Sequence, residues 1–259
     1  MSSVVVNVDW NAVAKVREYE LVEARNLQLA MVPAEPLRSH GVEVAKSFLP
    51  AAEVGGDFLD YFLLSDDKVG LYVGDVTGKG LPAALYASLV LGTLRGIHKT
   101  GMPPSETLEL LNNRLRVRAI QARYCAVQYA VFDPATQALC YANAGLPGPL
   151  HISARGCCEL LEGGMPSGMF DSVRYALQTV QLHPGDAVLF FTDGLIEARN
   201  AQEEEFGIEQ LQEICAQNHT AAAEALVARI SAAVDRFVGG TPQYDDMASA
   251  VLKLDHHGR

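Results

Sequence analysis

The run Ala187-Val188-Leu189-Phe190-Phe191-Thr192-Asp193-Gly194 constrains this chain more than any other stretch. Five apolar residues in succession read as a buried β-strand. Asp193 then stands at the strand's mouth, where a carboxylate is costly unless it is paired or bound to a metal. Gly194 lets another segment of backbone approach closely there. The segment Val69 to Gly80 repeats the arrangement: an apolar strand, then Gly74 and Asp75, then a glycine-rich turn into a helix.

The remaining elements follow from pattern and punctuation. A helix is predicted over Asp9–Met31, with Asp9 as N-cap and no Gly or Pro before Pro33. Its apolar positions, Val13, Val16, Leu27, Ala30 and Met31, form a seam interrupted by Glu20 and Glu23, a poor recipe for an isolated coiled coil. Pro33 to Pro36 ends the helix as a short rigid linker. Short strands are predicted in VEVAKSF, FLDYFLL, KVGLYVGDV, CAVQYAVFD, ALCYANA, PLHIS, RYALQTVQL, AVLFFTD and MASAVLKL. Helices are predicted over Gly80–His98, apolar almost all round, and over Pro104–Gln121, Ile208–Gln217 and Ala221–Val238. Strands in blocks and helices in blocks imply an α+β fold with largely antiparallel sheets. An apolar fraction of 49% over 259 residues is enough to bury a sizeable core in one multi-layered domain.

Composition excludes several classes. The formal charge of -11, without a basic run, argues against nucleic-acid binding. No stretch of about 18 apolar residues occurs, so no membrane span is expected. Met1 to Asp9 lacks the basic and apolar regions of a signal peptide. The five cysteines (Cys125, Cys140, Cys157, Cys158 and Cys215) are odd in number and contain no CxxC pair, which argues against a disulfide framework or a zinc site and suits the cytoplasm. His256 and His257 read as tail.

Four segments place aspartate beside glycine or at a strand end: Gly55-Gly56-Asp57-Phe58-Leu59-Asp60, Gly74-Asp75-Val76-Thr77-Gly78-Lys79-Gly80, Thr192-Asp193-Gly194-Leu195 and Tyr244-Asp245-Asp246-Met247. Any one alone is more often a plain turn. The second is not a nucleotide phosphate loop, because one residue is missing between its glycines and Lys79 is followed by Gly80. As a set, the segments offer hard oxygen donors without histidine or cysteine, which suits magnesium or manganese rather than zinc. Clustered carboxylates would repel one another and hold raised pKa values without cations. Two divalent ions would neutralise the cluster and create a binuclear hydrolytic site.

The order and content of these segments resemble the metal-dependent protein phosphatases, and within them the bacterial subfamily of stage II sporulation protein E and the stress-response sigma-factor regulators. The resemblance is carried by PAAEVGGDFLD from Pro50, GDVTGKGLPAAL, NAG at Asn143–Gly145, HPGDAVLFFTDGLIEARN, EFGIEQL and YDDMASAVL, over roughly residues 22 to 254. It implies a four-layer αββα sandwich of two antiparallel sheets, with a binuclear metal site at one end. It implies Asp57, Asp75, the Val76 carbonyl, Asp193 and Asp245 as ligands of two divalent cations, Mn2+ or Mg2+, with Asp75 bridging. Asp60 and Asp246 are further candidates: Asp60 as a supporting group, Asp246 at a position where the wider family often has asparagine. Two departures stand out. Leu146-Pro147-Gly148 replaces the usual His-Asn-Pro after NAG, and Met247-Ala248 replaces Ile-Thr.

The resemblance implies hydrolysis of phosphoserine or phosphothreonine by a metal-activated water, with a phosphorylated anti-sigma-factor antagonist as partner. It divides the chain into an N-terminal helix and linker (1–36), a phosphatase domain (37–255) and a tail (256–259). The helix is then a docking, homodimer or regulator-binding element, or simply a packing helix. The competing readings are a catalytically inactive signalling module of the same fold, opposed by the intact aspartates, and a nucleotide-binding regulator, opposed by the missing phosphate loop.

Overall fold

The computed structural model describes residues 9–161 and 163–255, so the tail histidines lie outside the described residues. In chain order the elements are α1 (Trp10–Met31), β1 (Leu37–Ser39), β2 (Val42–Leu49), β3 (Phe58–Leu63), β4 (Val69–Val76), α2 (Gly80–Ile97), α3 (Pro104–Val117), β5 (Cys125–Asp133), β6 (Ala138–Ala144), β7 (Leu150–Ser153), β8 (Gly156–Glu159), β9 (Gln178–Gln181), β10 (Ala187–Phe191), α4 (Ile208–Gln217), α5 (Ala223–Val238) and β11 (Met247–Leu254). One sheet runs β1-β2-β11-β10-β7-β8 and the other β3-β4-β5-β6-β9. Neighbours in both sheets are antiparallel.

Alternation along the strands builds the layers. On β4, Leu71 and Val73 enter the core between the sheets, where they meet Val188 and Phe190 of β10 and Ala250 and Leu252 of β11. Tyr72 and Val76 face the other way, into a core shared with Ala87, Leu91 and Leu94 of α2 and Leu108 and Leu111 of α3. On β10, Leu189 and Phe191 point away from the inter-sheet core towards Leu211 of α4 and Leu226 and Ile230 of α5. The sequence AVLFF lacks polar alternation because both of its faces are covered. The result is the four-layer αββα sandwich, α2 and α3 on one sheet and α4 and α5 on the other.

Several expected boundaries move. The third helix stops at Val117 rather than Gln121, since Arg118 leaves helical geometry and Ala122 has a positive φ of 57°. The strand expected over RYALQTVQL shrinks to Gln178–Gln181, which pairs only at the edge with β6. The strands β1 and β8, short edge strands, had no strong pattern. The segment Gly80–Thr100 is long and apolar enough to cross a membrane, which corrects the expectation of no such stretch. Its buried face, from Ala83 to Ile97, packs into the helix-sheet core, which makes it a core helix.

Candidate metal centre

The acids converge where β4, β10 and β11 begin or end. Gly74 of β4 pairs with Phe58 of β3, so Asp57, just before β3, lies beside Asp75. Gly56 makes this approach feasible: a Cβ there would stand 2.8 Å from the Val76 carbonyl oxygen and 3.1 Å from Asp75 Oδ1. Asp193 opens a single 3-10 turn after β10, and its Oδ1 accepts the Gly194 N–H at 3.0 Å. Gly194 in turn rests against the residues just before β11, where a Cβ would collide with the Asp246 carbonyl oxygen and stand 3.3 Å from Asp245 Cβ. The glycines beside Asp57 and Asp193 let neighbouring backbone segments touch.

Asp57 is buried, at 2% exposure, and its Oδ2 accepts the Thr192 hydroxyl at 2.7 Å. Burial pushes its pKa well up, and the neighbouring charge of Asp75 pushes further, with Asp246 and Asp193 adding to it. Asp75 rises to about 8, first through burial and then through Asp193, Asp245 and Asp246. Asp193 is also raised, by burial and then by Asp245. These mutual effects bring Asp57, Asp75, Asp193 and Asp245 into one electrostatic cluster with the Val76 carbonyl at its edge. Among the described residues no three acidic, histidine or cysteine side chains form a ready cage for an ion. The side chains are held by protein partners instead: Thr192 holds Asp57, and Lys79 Nζ ion-pairs with Asp245 Oδ2 at 2.9 Å. The donor set still fits hard divalent cations, because it is all oxygen and carries more negative charge than its surroundings offset.

The two further candidates part company. Asp246 is buried, and its carboxylate accepts the backbone N–H groups of Ala51 at 2.7 Å and Gly56 at 2.6 Å. It holds the loop that carries Asp57. Asp60 turns towards the helix layer, where it pairs with Arg95 Nε at 2.8 Å and accepts the Tyr72 hydroxyl at 3.3 Å. It is absent from the influences on Asp57, Asp75 and Asp193.

Thr192, inside FFTDGL, has a role that the sequence does not signal. Thr192 Oγ1 also accepts the Ala248 N–H at 3.0 Å, so it joins β10, β11 and Asp57. The role of Lys79, in a segment that reads as a glycine-rich turn, is likewise unsignalled; its ammonium also lies 4.0 Å above the Tyr244 ring. The loop after NAG, where the sequence departs from the subfamily, is closed by Asn143: its Nδ2 donates to the Leu146 carbonyl at 2.8 Å and its Oδ1 accepts the Leu146 N–H at 3.0 Å. Cys125 lies near the cluster, but burial, then Asp75 and Asp57, push its thiol well up. It is therefore no thiolate nucleophile.

The sequence profile of stage II sporulation protein E (SpoIIE) matches residues 65–255. The chain belongs to the SpoIIE family. Among curated proteins, this SpoIIE-family chain is 25% identical over 182 residues to the phosphoserine phosphatase RsbU of Bacillus subtilis, across 70% of this chain and 54% of that protein. The chain spans about half the length of the curated relatives it matches. Among solved structures, the SiaA-PP2C domain of Pseudomonas aeruginosa superposes with a TM-score of 0.84 at 21% identity, covering 94% of this chain and 99% of that one. RsbX, solved in complex with magnesium, gives a TM-score of 0.65 at 14% identity, covering 85% of this chain and 99% of that one. The SpoIIE-family fold here is thus that of the PP2C-type phosphatase domains.

Proposed function

We propose that this chain is a metal-dependent protein-serine/threonine phosphatase domain that hydrolyses phosphoserine or phosphothreonine on a partner protein. The observation that carries this reading is the convergence of Asp57, Asp75, Asp193 and Asp245, three of them with raised pKa values, at one end of a PP2C-type sandwich. These carboxylates and the Val76 carbonyl would hold two divalent cations, Mn2+ or Mg2+; the magnesium of the RsbX structure supports this choice. Bound there, such ions supply a hydroxide near neutral pH, by lowering the pKa of water from about 15.7 to about 7, and they offset phosphoryl charge.

The chain's own residues do the positioning. Thr192 fixes one oxygen of Asp57 and leaves the other to face the cluster. Lys79 orients Asp245 and places a cation at the rim, where a phosphate dianion must enter past acidic surroundings. Asp246 holds Ala51 and Gly56, and so fixes the approach to Asp57. No serine, cysteine or histidine nucleophile is required.

The substrate class follows from the subfamily: a small phosphorylated anti-sigma-factor antagonist, met in the cytoplasm. A second copy of the chain, or a regulator, is the proposed partner of α1. The test is phosphate release from p-nitrophenyl phosphate and from a phosphoserine peptide, with manganese and with EDTA. Turnover with manganese and none in EDTA is expected. Full activity in EDTA sinks the mechanism. Manganese binding without turnover on either substrate would instead favour the inactive signalling module.

A further inference from the structure

Helix α1 carries one buried polar side chain among its described residues, Gln28, at 6% exposure between exposed Leu27 and Leu29. Its Nε2 donates to the Gly55 carbonyl at 2.8 Å, and its Oε1 accepts the Gly55 N–H at 3.0 Å. The carboxamide thus pairs with both polar groups of one peptide residue, as a neighbouring strand would. The next N–H, that of Gly56, goes to Asp246 Oδ2 at 2.6 Å. The loop from Pro50 to Asp57 has no ladder of its own, since β3 begins at Phe58. The two residues before Asp57 are therefore held from opposite sides, by α1 and by the start of β11. Gln28 and Asp57 also line one small void, with Met31, Phe58 and Ser88.

We propose that Gln28 is a positioning residue that sets the divalent-cation affinity of the aspartate cluster by clamping Gly55 and thereby Asp57. The proposal rests on the metal-site reading above. The physical reason is that Gly55 is buried. Without Gln28 its N–H and carbonyl lose their partners, and a buried backbone group does not stay unpaired when the loop can move to satisfy it. Any such movement carries Asp57 away from Asp75. Groups that orient metal ligands typically contribute about 10- to 100-fold in metal affinity.

The simpler alternative is that Gln28 only fastens α1 to the domain. The helix has a second fastener that separates the two ideas: Arg95 Nη2 donates to the Met31 carbonyl at 2.6 Å while its Nε pairs with Asp60, away from the cluster. The experiment is isothermal titration of the full chain with Mn2+, together with melting temperatures in EDTA, for the wild type, Gln28→Met and Arg95→Leu. Methionine keeps the shape of the glutamine and removes both hydrogen bonds. Should Gln28→Met not fold, Gln28→Glu, which keeps the acceptor and loses the donor, takes its place. Expected is a roughly tenfold weaker Mn2+ affinity for the Gln28 variant, with Arg95→Leu binding like the wild type although both melt lower in EDTA. Unchanged affinity in the Gln28 variant overturns the proposal and leaves a fastener. Equal weakening in both variants overturns it too, in favour of general helix docking. A wild type that takes up no Mn2+ fails earlier, at the metal-site reading itself.

Discussion

An acid stands at each end of β10, Asp186 buried and Asp193 half-buried, and the two are handled in opposite ways. Before the strand, Asp186 is 6% exposed; its Oδ2 meets His151 Nε2 at 3.0 Å and accepts the His183 N–H at 3.0 Å. Lys253 lies close by, its ammonium bonded to the carbonyls of Gly185 and His219. After the strand, Asp193 is pressed by Asp245 and itself presses on Asp75, while Lys79 pairs with Asp245. At the first end the acid is matched by donors, as a purely structural carboxylate must be. At the second, acids face acids, and the mismatch is stored in raised pKa values. One end stabilises the sandwich, and the other, on the reading proposed above, would take up positive charge from outside it.

The largest expected effect separates the two ends by activity. Asp75→Asn or Asp193→Asn should lower manganese-dependent turnover by at least about a hundredfold, since each removes a ligand charge at the site of reaction. Asp186→Asn should leave turnover within about twofold. Comparable losses at both ends would erase the distinction.

Next comes stability. Saturating manganese should raise the melting temperature of the wild type; a hundredfold excess over the dissociation constant corresponds to about 2.7 kcal/mol. Asp186→Ala should instead destabilise the chain by about 1–3 kcal/mol, with or without manganese, by removing a buried carboxylate that accepts from the His183 amide and pairs with half-buried His151. If millimolar manganese leaves melting unchanged, the carboxylates do not form a cation site.

A smaller effect concerns pH in EDTA. The Asp75 pKa is raised from 3.8 to about 8, so between these values the folded state binds more protons than the unfolded state. Stability contributed by the protonated form is therefore present at low pH and lost as pH rises towards about 8. Melting in EDTA should fall across that window, and Asp75→Asn should flatten the fall. A wild-type melting temperature that rises steadily from pH 5 to pH 8 in EDTA would contradict the clustering of these charges.

The sequence showed those parts of the site that sit on one strand or turn. Asp193 after AVLFF and Asp75 after an apolar strand were legible because the cost of a carboxylate at a buried strand end is a local fact. The layer order was legible through resemblance, and β10, covered on both faces, shows why its apolar run lacks alternation. What stayed hidden depends on partners far along the chain. Asp60 lies three residues beyond Asp57, yet its partner Arg95 sits on α2, so no spacing reveals which acid turns inward. Asp246 looks like a second ligand beside Asp245 until its carboxylate is seen to serve Ala51 and Gly56. Gln28 reads as an ordinary polar helix residue, because its partner, the backbone of Gly55, has no side-chain signature.

The smallest expected effect concerns α1, and it extends the same contrast from acids to a helix. The last turn is fastened by Gln28, Met31 and Val32, while residues 14–20 are all exposed, including Val16 at 57% and Tyr19 at 63%. On the reading proposed above, these exposed turns are where a partner of α1 would sit. The seam interrupted by Glu20 and Glu23 suits a contact that forms and dissolves, with a second copy or a regulator. Removing residues 1–24 keeps Gln28 and its clamp; removing residues 1–31 deletes both. The shorter cut should change self-association, read by light scattering, and alter turnover by no more than about threefold, with Mn2+ affinity intact. The longer cut should in addition weaken Mn2+ binding on the order of tenfold, as expected for losing a group that orients a ligand. If the shorter cut changes neither mass nor turnover, the exposed turns of α1 have no partner and the helix is packing alone. If it weakens Mn2+ binding as much as the longer cut, the coupling to Asp57 runs through the whole helix and not through the Gln28 clamp.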